Sequence, residues 1–120
     1  MKIAITAKGK ELDSNVDPRF GRCEYFVIVD TATMEFEGIV NESAMASGGA
    51  GPQAAQTISK AGAKVLITGN VGPNAHQTLE AAGIEIITGS SGKVGDMVEK
   101  YKKGGLSSTH TPTVGRHAGV

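Results

Sequence analysis

Two arginines and a thiol stand close together in Arg19-Phe-Gly-Arg-Cys23, the most reactive combination in the chain. Neighbouring guanidinium charges favour the thiolate of Cys23, and a thiolate binds soft metals. The same pattern fits a half-buried Cys at the start of a strand with Arg19 and Arg22 in solvent, because free Cys commonly packs as a small hydrophobe. His76 is a second candidate metal donor. Glu80 follows it by one helical turn, so a surface His–Glu pair also accounts for the spacing. His110 and His117 lie in a Ser-, Thr- and Gly-rich stretch and read as solvated residues.

Anion binding is a different chemistry, carried by three Gly-bearing loops: Ser47 to Gly51, Thr68 to Gly72 and Thr88 to Gly92. Each leads into an expected helix, whose first N–H groups lack helical partners and form the positive end of its dipole. Together the loops could cradle an anion. Gly48, Gly49 and Gly51 come from the first, Thr68, Gly69, Asn70 and Gly72 with Asn74 from the second, and Thr88 and Gly89 from the third. Gly and Thr at such junctions are also ordinary turn and capping residues. No nucleotide fingerprint is present, since Gly48-Gly-Ala-Gly lacks the dinucleotide spacing and no Gly-Lys-Ser/Thr occurs.

Several function classes are excluded or weakened. Asp13, Asp17, Glu24 and Asp30 are scattered, so no carboxylate cluster or nucleophile–base pair demands a catalyst. A single Cys excludes an internal disulfide and an all-Cys iron–sulfur or zinc site within one chain. Twelve basic and twelve acidic residues cancel, and without a basic run there is no electrostatic footprint for nucleic acid. No long apolar segment or charged-then-apolar leader suggests a membrane or export, so a soluble, cytoplasmic protein is expected.

The elements that must position these residues are partly written in duplicate. Gly51, Pro52, Ala54, Gln56, Thr57, Ala61 and Gly62 recur as Gly72, Pro73, Ala75, Gln77, Thr78, Ala82 and Gly83. Each copy predicts a loop, a short helix with Pro at its first position, a left-handed Gly just past its end, and a buried strand. Helices are expected over Pro52 to Ala61, over its repeat, and over Lys93 to Lys103. Upstream, Lys2 to Thr6 predicts a buried strand and Thr6 to Arg19 an exposed, mobile loop. Tyr25 to Asp30 reads as a strong strand, and Glu35 to Asn41 as a weaker partner whose Phe36 and Val40 alternate with polar residues. Glu42 to Ala50 reads as a linker. The order β, ββ, α, β, α, β, α specifies one α/β domain over residues 1–103, a three-layer sandwich on a mixed sheet, followed by a flexible tail over 104–120. Its core must rest on Ile, Val, Leu, Met and Ala, because aromatics make up only 4% of 120 residues.

Four separated stretches carry a resemblance. Met1-Lys-Ile-Ala-Ile5, Asp17-Pro-Arg-Phe-Gly-Arg-Cys-Glu-Tyr-Phe26, Gly49-Ala-Gly-Pro-Gln-Ala-Ala-Gln56 and Ile67-Thr-Gly-Asn-Val-Gly-Pro-Asn-Ala75 resemble, in order, the dinitrogenase iron–molybdenum cofactor biosynthesis family. That family comprises NifX-like carriers, the C-terminal domain of NifB-type proteins and the orange proteins of anaerobes. The likeness covers Met1 to Tyr101 and implies a ribonuclease H-like sandwich. It further implies a non-enzymatic protein, monomer or weak dimer, that binds or carries an anionic metal–sulfur cluster and exchanges it with a donor or acceptor protein. The cargo would be a molybdenum–copper sulfide cluster in the orange-protein branch, or an iron–molybdenum cofactor precursor in the nitrogenase branch. Such a cluster has its metals satisfied by sulfide, so N–H donors, Arg charge and an apolar wall can hold it. No ligand set transfers with the resemblance, and His76 stands where many relatives carry an apolar residue. Two readings from other classes stay open: an enzyme acting on a phosphorylated small molecule or nucleic acid through the same cradle, and a metal-free interaction module docking through Glu35 to Asn41.

Overall fold

Alternation along the apolar runs decides which side of the sheet each side chain enters. A computed structural model describes residues 1–45 and 48–113. Its strands are β1 (Lys2–Ala7), β2 (Tyr25–Asp30), β3 (Phe36–Val40), β4 (Ala63–Ile67) and β5 (Glu85–Ile87). Its helices are α1 (Ala50–Lys60), α2 (Pro73–Ala81) and α3 (Val94–Lys102), with a 3-10 turn at Glu42–Met45. On one side of the sheet Ile3, Ile5, Val27, Val29, Val65, Ile67 and Ile87 meet Val94, Met97 and Val98 of α3. On the other side Ala4, Phe26, Ile28, Leu66 and Ile86 meet Ala54, Ala55 and Ile58 of α1 and Ala75 and Leu79 of α2. This is the expected three-layer sandwich. The five strands lie in the order β3-β2-β1-β4-β5. β2 runs antiparallel to its neighbours β1 and β3, while β1, β4 and β5 run parallel.

The repeat is visible in space as α1 turning into β4 at left-handed Gly62 and α2 turning into β5 at left-handed Gly83. The copies differ at their starts. Pro73 opens α2 as expected, whereas α1 begins earlier, at Ala50, and places Pro52 inside its first turn.

Three expectations need correction. The β1–β2 loop, read as exposed and mobile, is tied across the carboxyl ends of the parallel strands. Asp17 N donates to Thr6 O at 2.9 Å, Asn70 N to Pro18 O at 2.8 Å, and Val16 N to Gly92 O at 2.8 Å. Val16 and Phe20 are buried and anchor it. Its composition was that of a loop, but its backbone groups are satisfied by strand ends distant in sequence. In β3, Phe36 and Val40 are 41% and 53% exposed, and Ile39 is the residue that packs toward α1 and α2. β3 is an edge strand. Residues 106–113, read as tail, lie along β5 and the β4–α2 loop. Thr109 N donates to Ile86 O at 2.6 Å, Thr113 N to Val71 O at 2.9 Å, and the Ser108 hydroxyl to Glu85. Main-chain groups and hydroxyls hold this segment, and hydrophobic periodicity does not register them. His117 lies outside the described residues.

The loop crossing depends on Gly69, where a Cβ would lie 2.6 Å from Pro18 Cα and 2.8 Å from its carbonyl oxygen. Because Pro18 is itself pinned through Asn70, Gly69→Ala is expected to destabilise the fold by about 1–3 kcal/mol, the cost of forcing atoms into a filled site. A urea titration checks this through a lowered midpoint, and a midpoint equal to wild type would mean the crossing yields.

Candidate functional site

Two helix entrances meet on the face of the sheet shared by α1 and α2. A Cβ on Gly51 would lie 2.7 Å from Ala75 Cβ, so the first turns of the two helices touch, and only a residue without a side chain permits that approach. The N-caps are Gly49 and Gly72, and neither helix has a side-chain cap. The first helical donors are Gln53 N to Gly49 O and His76 N to Gly72 O. The N–H groups of Ala50, Gly51, Asn74 and Ala75 precede them and have no acceptor within the helix. Beside Gly48 and Gly49 a Cβ would meet nothing within 4 Å among the described residues. Ser47, expected in this loop, lies outside the described residues.

Arg22 is brought to the same place. Its turn abuts α1 at Gly21, where a Cβ would lie 3.0 Å from Gly51 N. Half-buried Arg22 donates from Nη1 to Ala44 O at 2.8 Å. Asn41 sets the turn by donating from Nδ2 to Gly21 O at 3.1 Å and Cys23 O at 2.9 Å, while the Ser43 hydroxyl donates to Asn41 Oδ1 at 2.5 Å. Sequence reasoning passed over Asn41 and Ser43, since nothing in a strand-end Asn announces burial. It also passed over Met45, which is 92% exposed and ends the 3-10 turn before α1.

The expected three-loop cradle is reduced to two entrances. Val94 N and Gly95 N of α3 donate to Ser14 O at 2.9 Å and Leu12 O at 2.7 Å, so the crossing loop plugs the third entrance. The β4 and β5 loops also satisfy one another: Gly89 N donates to Gly69 O at 2.8 Å and Ser90 N to Thr68 O at 3.1 Å. Thr68 N goes to Ile87 O, Asn70 N to Pro18 O, and Thr88 N to the Thr109 hydroxyl. The donors of Thr68, Gly69's neighbour Asn70, Thr88 and Gly89 are therefore occupied within the fold. Buried Ser90 keeps a hydroxyl with no partner among the described residues.

Of the two sequence readings of the thiol, the structure matches the packed one and buries it more deeply than expected. Cys23 is fully buried, donates to Phe20 O at 3.2 Å, and is pushed up to about 12 by burial first and by the Asp17 charge second. Cys23 is therefore packed as a protonated thiol in this fold. Arg19 is largely exposed, its Nε 3.8 Å from Asp17 Oδ1. His76 pairs with Glu80 as expected, Nδ1 to Oε1 at 3.0 Å, yet the ring is buried and not on the surface. His110 is exposed.

Residues 1–104 match the family described as dinitrogenase iron-molybdenum cofactor. The chain belongs to that family. The dinitrogenase cofactor fold is shared with the apo orange protein from Desulfovibrio gigas, 44% identical, with a TM-score of 0.92 over 94% of this chain and 96% of that one. A Thermotoga protein of the DUF35 family, provisionally named for NifB, is 38% identical with a TM-score of 0.82 over 94% and 97% of the two chains. A Methanocaldococcus jannaschii protein provisionally named a dinitrogenase shares the fold at 23% identity, with a TM-score of 0.68 over 93% and 97%. No curated protein matches the chain. No helix among the described residues is long and apolar enough to cross a membrane.

The buried thiol of this family member has two measurable consequences. Cys23 is expected to resist a disulfide reagent at pH 8 in the native protein and to react at once in urea. In the unfolded chain the thiol ionises near its ordinary value of 9.0, whereas in the folded chain it holds its proton up to about 12. Its contribution to stability is therefore complete below pH 9 and is lost as pH rises toward 12. Cys23→Ala should flatten the alkaline fall of the urea midpoint across that window; an unchanged slope would assign the fall to other groups.

Proposed function

We propose that this member of the dinitrogenase cofactor family binds an anionic metal–sulfur cluster where the entrances of α1 and α2 meet, as a carrier that catalyses no reaction. The observation that supports this is the contact between two helix N-termini without side-chain caps, with nothing packed on Gly48 and Gly49 among the described residues. Each terminus is equivalent to about half a positive charge, and an anion there gains about 0.3–1 kcal/mol per helix, up to about 2 where partly buried. Gly48, Gly49, Gly51, Gly72 and Asn74 line the entrances, Arg22 brings a guanidinium beside them, and Arg19 adds charge further out. Exposed Met45 offers an apolar wall.

The donor set fits a cargo that brings its own sulfide. No group of three His, Cys, Asp or Glu is placed to hold a metal ion among the described residues, and Cys23 is sealed. The phosphoryl-enzyme reading is weaker for the same reason, because acids that would hold magnesium are not gathered at the entrances. The 44% identity to the orange protein favours a molybdenum–copper sulfide cluster over an iron–molybdenum cofactor precursor as the cargo. Exchange with a donor or acceptor protein belongs to this proposal.

Anaerobic incubation with tetrathiomolybdate and copper(I), followed by a sizing column, tests it. Visible colour is expected to elute with the protein. Arg22→Gln should weaken retention about 10-fold, corresponding to about 1.4 kcal/mol for a lost charge-assisted contact. Colour that elutes apart from the wild-type protein refutes the proposal.

A further inference from the structure

β3 is joined to β2 along one side and, among the described residues, to no strand along the other. Asp30 N donates to Glu35 O and Asn41 N to Glu24 O, so the odd-numbered residues here turn their main-chain groups toward β2. By the alternation of an antiparallel ladder, Phe36, Gly38 and Val40 turn theirs outward. An open row of N–H and C=O groups is a template for one more strand.

The side chains of β3 divide in the same way. Ile39 packs toward α1 and α2, so Phe36, Gly38 and Val40 stand on the opposite face. Phe36 and Val40 are exposed there, and the Lys10 stem lies against Gly38 between them, its ammonium 5.4 Å from the centre of the Tyr25 ring. Glu35 and Glu37, both exposed, share the other face with Ile39. With Lys2, Ile28 and Asp30 they line a hollow of about 430 Å³. Asp30 is 3.8 Å from the Met1 ammonium, while neither glutamate has an ion-pair partner among the described residues. Even with Lys2 and that ammonium counted, the balance on this face is acidic.

Those acids select the occupant. A second copy pairing antiparallel about Gly38 would set its Glu37 diagonally across the ladder from this one, like charge near like. A strand that alternates apolar residues with lysine or arginine suits both faces. Its apolar side chains cover Phe36 and Val40, and its cations meet Glu35 and Glu37.

We propose that β3 is the docking edge for a partner protein, which adds an extended segment of alternating apolar and basic residues to the sheet. The edge leads toward the entrances described above. Asn41 follows β3 and holds the turn that carries Arg22, and the Ser43 hydroxyl just beyond it is 3.2 Å from Ala50 O in the first turn of α1. The inference does not depend on a cluster being held there.

The test is a titration of the full chain, labelled with nitrogen-15 and free of cargo, with a short capped peptide of alternating valine and lysine. The amide signals of Phe36, Gly38 and Val40 should shift downfield, saturate and exchange hydrogen more slowly, while those of Glu37 and Ile39 keep their exchange rates. The same peptide with glutamate in place of lysine should bind about 10-fold more weakly. Glu35 and Glu37 are exposed, so a Glu35→Lys, Glu37→Lys double variant should fold, and it should reverse that preference. Outward amides that stay unmoved at millimolar lysine peptide overturn the proposal, as does equal binding of the two peptides or a preference that the variant leaves unchanged. The same amides shifting when the protein alone is concentrated would assign the edge to a second copy and overturn it too.

Discussion

The Thr6 hydroxyl, buried at the end of β1, joins the strand ends to the loop that crosses them. It donates to Asp17 O at 2.6 Å and pairs with the Thr68 hydroxyl at 2.8 Å, and both threonines are fully buried. Polar atoms so enclosed would cost about 1–3 kcal/mol each if left unpaired, so the chain is held to the one path that pairs them. The rest of the carboxyl edge follows from that path. Pro18 comes down on Gly69, and the carbonyls of Leu12 and Ser14 reach the first turn of α3. One helix entrance is filled by the protein's own backbone, which leaves the two on the opposite face available.

The balance of charge at the remaining entrances is local, since the whole chain is neutral. Asp17, held inside the loop, turns toward Arg19 and raises the thiol of Cys23. The acid therefore adds to the burial that keeps the sulfur protonated. Arg22, on the other side of the same turn, donates to Ala44 O, and Asn41 and Ser43 hold the turn that carries it. Local charge at a helix terminus can make a positive site without any net charge on the molecule.

Much of the scaffold was legible because it is periodic. The duplicated Gly-Pro units, the strand of Tyr25 to Asp30 and the amphipathic run of α3 all carry their own pattern, and their bounds agree to within a residue or two. What stayed hidden depends on pairings across the fold. The crossing loop looked unattached because its partners, Thr6, Asn70 and Gly92, are far away in sequence. The thiol looked activated because Arg19 and Arg22 are adjacent in the chain, whereas burial, which adjacency does not reveal, controls its ionisation. His76 looked exposed because it stands among polar neighbours in a short helix. The tail looked unstructured because its attachments are hydroxyls and main chain, as at Thr109 and Thr113.

The two margins of the sheet are unlike. Thr109 already hydrogen-bonds to the outer side of β5, while β3 keeps Phe36 and Val40 in solvent. Head-to-tail stacking of sheets, β3 of one molecule on β5 of the next, is thereby blocked at one end. The short segment laid along β5 thus shields that margin from strand addition, and among the described residues β3 is the margin left open.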